Sequence, residues 1–415
     1  MLYTFLIILA LLALLSIIFE EVTHLNKAKT TLFFGCISWV ALFMAAGDPS
    51  HEKLVAHQLN ENLLEIATLW LFLMSTMTFV AYLNAKGMIQ IMVQKLFPQK
   101  VSVRLLMIQV ALFSLILSAF CDNVTATLVS LGLLTTFKLD KQIRRRMAVL
   151  IIFAVNSGGV ALITGDVTTL MIFLAGHVHI SELLMLFIPS AVSVVLLATL
   201  FSLKAEGIVS TTPIKHSYQT VDLLIALVFF CTILMTMLLN ILFGIPPVLT
   251  FLTGLSIMFL IGHTTRSDKE EIKILEYIRQ VEYDTLLFFL GILLLVGMLK
   301  EIGTLDMLTE AYALFNPNIS NFVTGMGSAL IDNVPLTAAL LKAEPVLNTP
   351  EWLGLTYSVG VGGSLLVIGS AAGIVAMSKV KELTFVSYLK YVPALFLCYC
   401  VGYGLTLFLA YNFFA

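Results

Sequence analysis

Three aspartates, Asp122, Asp166 and Asp332, lie in stretches that otherwise hold almost no charge. Asp122 and Asp332 each precede an asparagine, Asn123 and Asn333. Asp166 ends the glycine-rich run Asn156-Ser157-Gly158-Gly159…Gly165 and is followed by Val167-Thr168-Thr169. Carboxylate, amide and hydroxyl oxygens, with backbone carbonyls that glycines leave unpaired, are hard ligands suited to a small alkali cation. A carboxylate at a bilayer centre costs about 2.5–3.5 kcal/mol on insertion scales, so such residues mark an ion path. The same side chains also have structural uses. Asp166 can bond the first N–H groups of a half-helix, and Asn123 and Asn333 are placed as N-caps, the latter with Pro335 in the first turn. Thr168 and Thr169 can bond back onto their own helix. Glu65 and Asp284 fall near the ends of apolar stretches. Away from their ends, the segments that carry the three aspartates contain no Lys or Arg. A cation suits that field better than an anion.

The surrounding sequence must hold these residues in a membrane. Of 415 residues, 59% are hydrophobic and 12% charged, with a net charge of −2; a soluble domain of this size cannot hide so much apolar surface. The charges sit between apolar blocks rather than on a patch, so nucleic-acid binding has no support. Spans are expected at 2–19, 30–47, 63–83, 146–176, 181–203, 219–241, 245–262, 284–300, 352–378 and 385–412. Loops 20–29, 84–104, 138–146, 204–218, 263–283 and 379–384 carry most of the Lys and Arg, so they are cytoplasmic and both termini extracytoplasmic. Met1–Phe19 reads as a first spanning helix rather than a secretory signal, because it has no basic n-region. Arg144, Arg145 and Arg146 read as a positive anchor, 48–62 as a loop of little positive charge, and His177 and His179 as solvated loop residues. The five cysteines, all in apolar segments, are expected to be buried thiols without a disulfide.

One block, Val101–Phe137, is about two spans long yet has basic residues at both ends. A re-entrant hairpin with its tip at Cys121-Asp122-Asn123 satisfies both flanks. The pattern then recurs: Gly87 and Gly303, Leu96-Phe97 and Leu314-Phe315, Pro98 and Pro317, the Asp-Asn tips, Gly158-Gly159 and Gly362-Gly363, Gly165 and Gly369. The chain therefore reads as an all-α polytopic membrane protein of two inverted-topology repeats, 1–205 and 219–415, joined by a cytoplasmic linker at 206–218. Each repeat has five transmembrane helices and one re-entrant hairpin, 101–137 or 318–342, with broken helices at 146–176 and 352–378. Inverted repeats with discontinuous helices are the signature of secondary transporters.

The segments Ser118-Ala-Phe-Cys-Asp-Asn-Val-Thr-Ala-Thr127, Asn156-Ser-Gly-Gly…Gly165-Asp-Val-Thr-Thr169, Ser328-Ala-Leu-Ile-Asp-Asn-Val-Pro335 and Gly360-Val-Gly-Gly-Ser…Gly369-Ser-Ala-Ala-Gly373 resemble the NhaD-type sodium/proton antiporters of the ion transporter superfamily. The Gly-Asp-Val-Thr-Thr stretch carries the resemblance most specifically. It implies exchange of Na⁺ or Li⁺ for H⁺ across a bacterial inner membrane by an elevator-like fold in a homodimer, with no cofactor. Helices within 1–83 and 219–300 would form a scaffold; the hairpins, broken helices and remaining spans would form a transport domain. The matched polar positions are Ser118, Asp122, Asn123, Asn156, Asp166, Thr168, Thr169, Ser328, Asp332 and Asn333, with Ser364 and Ser370 supporting. Na⁺ would sit at Asp166 and Asp122 and compete there with protons. Carriers of organic or arsenical anions are the alternative within the superfamily. An intramembrane aspartyl protease is disfavoured, because Tyr283-Asp284 has no Gly-x-Gly-Asp partner.

Overall fold

The computed structural model describes residues 2–18, 25–88, 91, 97, 100–203, 205–210, 219–264, 275–281 and 283–414. The expected positions Leu96 and Pro98, and most of the expected linker at 206–218, lie outside the described residues. The first half contains α1 (Leu2–Ile18), α2 (Lys27–Ala45), α3 (Pro49–Ala85), α4 (Val103–Phe120), α5 (Asn123–Thr135), α6 (Lys141–Gly159), α7 (Val167–Leu174), α8 (Ile180–Met185) and α9 (Phe187–Ser202). The second contains α10 (Thr220–Phe243), α11 (Pro247–Thr264), α12 (Leu275–Ile278), α13 (Tyr283–Glu301), α14 (Asp306–Leu314), α15 (Pro317–Gly327), α16 (Asn333–Ala343), α17 (Thr349–Gly362), α18 (Ala371–Lys379), α19 (Phe385–Leu389) and α20 (Val392–Phe414). Among the described residues, seven helical stretches are long and apolar enough to cross a bilayer. Helices satisfy their own backbone groups, which is what a lipid environment demands.

Several expectations need correction. Loop 48–62 is not a loop: α3 begins at Pro49, where a missing N–H costs nothing, and continues to Ala85. Two three-residue strands, β1 (Lys100–Ser102) and β2 (Ile208–Ser210), pair antiparallel and join the start of α4 to the segment after α9. Cys121 and Cys398 are buried, but Cys36 and Cys231 are exposed. They lie on apolar helix faces, Cys36 beside Phe33 and Val40 and Cys231 beside Leu227 and Leu234, all of them exposed. Such faces are covered by lipid when a helix lies in a membrane. His177 is half-buried and stacks on Trp352, with ring centroids 3.9 Å apart.

The element order of the first half returns in the second. Gly87 and Gly303 follow α3 and α13 with φ of 67° and 69°, left-handed values open mainly to glycine. Two helices meeting at an Asp-Asn break come next, α4–α5 and α15–α16, and then a helix interrupted after paired glycines, α6–α7 and α17–α18. The helices also sort into two packed groups. In one, α2 lies along α13, with α1, α3, α10 and α11 around them; in the other, α4 packs on α6 and α9, and α15 on α17. Return helix α5 packs on α18 and return helix α16 on α7, so each half closes on the other's interrupted helix. The main contact between the groups is α13 against α16.

Glycines set these crossings. A Cβ at Gly158 would overlap the Leu115 backbone of α4, and one at Gly362 would overlap the Gly325 carbonyl of α15. A Cβ at Gly165 would lie 2.7 Å from the Gly159 Cα, and one at Gly369 would lie 2.7 Å from the Gly363 carbonyl oxygen. Gly362→Ala is therefore expected to lower stability by about 1–3 kcal/mol through overpacking. Gly132→Ala, where a Cβ meets nothing within 4 Å, is expected to be neutral or to stabilise by up to ~1 kcal/mol. Thermal unfolding of the detergent-solubilised variants checks the contrast.

Candidate functional site

The glycine-rich run ends α6 at Gly159, and the chain crosses residues 160–166 before α7 begins. Asp166 stands at that start, 5% exposed. Its Oδ1 accepts the Thr168 N–H at 3.0 Å and the Thr168 hydroxyl at 3.0 Å. Its Oδ2 accepts Asn123 Nδ2 at 3.2 Å and Asn333 Nδ2 at 3.2 Å. One oxygen thus caps α7, and the other receives an amide from each Asp-Asn break. Asn123 is oriented in turn by the Ser118 hydroxyl, which donates to its Oδ1 at 2.8 Å. The Thr169 hydroxyl donates to Val160 O at 3.4 Å, across the interruption.

The capping roles at the two tips differ from those expected. The aspartates are the N-caps: Asp122 Oδ1 accepts Thr125 N at 2.9 Å, and Asp332 Oδ1 accepts Val334 N at 3.5 Å. Asp122 also takes the Thr125 hydroxyl at 2.8 Å. The asparagines stand one residue further, as the first helical residues, and from there they reach Asp166. A one-residue shift along a helix turns a side chain by about 100°, and that rotation separates the capping group from the one that reaches inward.

Asp122, Asn123, Asp166, Asp332, Asn333 and Ser370 line one cavity of about 160 Å³. Asn156 lies behind it, donating to Ile152 O at 2.8 Å and Ser370 Oγ at 3.1 Å. The Asn156 Oδ1 and the Ser157 hydroxyl are buried with no hydrogen-bond partner among the described residues. Ser328 donates to Val359 O at 2.8 Å and Ser364 to Val361 O at 2.6 Å, so these serines bond to the backbone of α17. With Ser118, Thr168 and Thr169 they support the cavity's frame and do not line it.

The sequence reading missed the far wall. Asn26, Lys27, Asp284, Thr285, Phe288 and Phe289 close the cavity from the starts of α2 and α13. Lys27 Nζ lies 3.0 Å from Asp332 Oδ2 and 4.6 Å from the Phe288 ring centroid. A lysine thus reaches the cavity from a helix outside the segments that carry the three aspartates. Lys27 reads as a loop flank because it adjoins the basic loop. The local sign of another place is Asn26, whose side chain caps α2 by accepting Ala28 N at 2.8 Å. Midway along α3, Glu65 pairs with Lys342, and in the last turn of α13 Lys300 pairs with Glu344, each at 2.5 Å. The Lys300 ammonium holds the Glu344 carboxyl below the usual range.

The family model described as "Citrate transporter" matches residues 5–360. The chain is 30% identical to the Na(+)/H(+) antiporter NhaD of Alkalimonas amylolytica, over 94% of this chain and 87% of that protein. It is 29% identical to the NhaD of Vibrio parahaemolyticus, over 90% and 98%. It is 29% identical to sodium/proton antiporter 2 of Arabidopsis thaliana, over 88% and 90%. A family match across most of the sequence, and relatives aligned along nearly all of it, place the chain in the citrate-transporter family, among the NhaD-type antiporters.

Proposed function

We propose that this protein exchanges Na⁺ or Li⁺ for H⁺ across a bacterial inner membrane, with Asp166 as the group for which the two ions compete. The observation that carries this reading is the pair of amides, one from each hairpin, on a single buried carboxylate oxygen. A proton on Asp166 neutralises it in place. A Na⁺ displaces the amide nitrogens, and a half-turn of each amide then offers a carbonyl oxygen to the ion. Thr168 keeps the carboxylate aimed, and Asp122 and Asp332 add field from the cavity wall. The antiporter relatives and the four carboxylates around the cavity support a cationic cargo.

The two helix groups are read as scaffold and transport domain, and the two halves as inverted repeats whose hairpins enter from opposite faces. A homodimer would brace the scaffolds, and both termini would be extracytoplasmic. The basic loops at 20–29 and 263–283 support a cytoplasmic position for the starts of α2 and α13. The Asp166 cavity lies against those starts, which fits a cytoplasm-facing state. The wider cavity of about 590 Å³ near Glu65, Lys300, Lys342 and Glu344 then faces outside.

Citrate carriage is the second reading, favoured by the family description and by Lys27 at the cavity. It is disfavoured because that lysine is already paired with Asp332, which leaves three further carboxylates facing the space.

Proton flux in everted vesicles tests both. NaCl or LiCl is expected to drive proton movement, while KCl and citrate are not; uptake driven by citrate alone would favour the anion carrier. Asp166→Asn is expected to abolish the Na⁺ response, and undiminished exchange would remove Asp166 from the mechanism. Asn333→Leu, which takes away one partner of the ligating carboxylate, is expected to weaken apparent Na⁺ affinity about 10–100-fold. Because protons and Na⁺ share the site, the half-saturating Na⁺ concentration is expected to rise as pH falls, approaching about tenfold per pH unit where one proton is displaced.

A further inference from the structure

We propose that Lys27 is a tethered cation that occupies the ion site's electrostatic place in the cytoplasm-facing state and so weakens Na⁺ binding from that side only. The inference rests on the reading of Asp166 as the ion site and extends it to a residue of the other helix group.

Lys27 is the first residue of α2. The preceding Asn26 caps that helix and donates to Asp284 Oδ2 of α13 at 2.9 Å. The start of α2 is thereby fixed to α13, along which α2 also packs. The ammonium sits over the Phe288 ring of the same helix, a contact that favours a cation held partly out of water. Lys27 therefore belongs to the helix group read as scaffold. Asp332 belongs to the other group, as N-cap of α16, and its neighbour Asn333 holds Asp166. The Lys27–Asp332 pair, with side chains 20% and 11% exposed, thus spans the boundary between the groups beside the ion site.

A contact of 3.0 Å cannot survive relative sliding of the groups. A shift of one helical turn, about 5.4 Å, breaks it. While the cavity faces the cytoplasm, Lys27 cancels one of its negative charges and repels an arriving cation. When the hairpins move to the outer face, Lys27 stays behind with α2, and the cavity carries one more net negative charge. The same carboxylates then bind a cation more tightly from outside than from the cytoplasm. The chain would in this way set its own threshold for cytoplasmic Na⁺ without a separate regulatory domain.

The test compares half-saturating Na⁺ for Lys27→Gln in everted vesicles, which present the cytoplasmic face, and in right-side-out vesicles. The expected result is a fall of about fivefold or more at the cytoplasmic face, within the usual range of coupling between sites, and no change at the outer face. Lys27→Arg is expected to retain wild-type values, because it keeps the charge. Asp332→Asn, which removes a carboxylate charge but keeps the repelling ammonium, is expected to raise half-saturating Na⁺ at the cytoplasmic face, and adding Lys27→Gln is expected to lower it again. If Lys27→Gln fails to accumulate, Lys27→Met, which keeps the stem against Phe288, takes its place. Equal shifts at both faces, no shift at either, or equal impairment of the Gln and Arg variants would overturn the proposal. Absence of Na⁺-driven flux in wild-type vesicles would overturn the exchange reading and this inference together; normal wild-type flux with an unshifted Lys27→Gln overturns this inference alone.

Discussion

A carboxylate taken out of water must be given partners, and the organisation of this molecule follows from how Asp166 receives them. Its Oδ1 is bonded within its own helix start, while its Oδ2 depends on Asn123 and Asn333, which lie on different halves of the chain. Hydrogen bonds to a charged group contribute about 1.5–3 kcal/mol each, and the desolvation of a buried ion costs several kcal/mol. The two are of the same order, so the buried carboxylate is balanced rather than deeply stabilised. On the proposed reading a single small cation or proton is then enough to tip it, as a site that both takes up and releases an ion requires.

The backbone is arranged to make this convergence possible. Both Asp-Asn breaks must approach one interrupted helix, which requires helix axes closer than side chains allow. The glycines at 158, 165, 362 and 369 supply that approach at matching points of the two halves. The reciprocal packing of α5 on α18 and α16 on α7 then gathers the helices at the two Asp-Asn breaks and the interrupted helices into one packed group. Its main contact with the remaining helices is along α13 and α16, and the pairs Glu65–Lys342, Lys300–Glu344 and Lys27–Asp332 all cross that boundary. Exposed pairs such as Lys300–Glu344 are worth about 0–1 kcal/mol each, so they add little to the packing between the two groups.

Much of this was legible in the sequence, for identifiable reasons. Hydropathy marks Val101–Phe137 as an apolar block too long for one span, and its Asp122-Asn123 pair falls where α4 ends and α5 begins. The paired glycines mark where α6 and α17 are interrupted, whereas the close crossings they allow are visible only in the structure. Long-range relations leave no such trace. Lys27 looks like a loop flank, since nothing local reveals that Asp332, 305 residues away, meets it. The exchange of roles at the tips was hidden for a different reason. Asp and Asn are comparable N-caps, so composition cannot say which of two adjacent residues caps and which turns inward. The early start of α3 was hidden by polar residues such as Asn60, Glu61 and Asn62, which hydropathy assigns to a loop although they are compatible with a helix extending beyond the bilayer core.

The central claim is that Na⁺ and H⁺ exclude one another at one carboxylate. Calorimetric titration of the purified protein with NaCl, repeated in buffers of different ionisation enthalpy across a pH series, counts the protons released per Na⁺ bound. The account predicts a release approaching about one proton per Na⁺ at the acid end of the series, falling towards none as the site deprotonates. Na⁺ binding whose heat is the same in every buffer at every pH would contradict it.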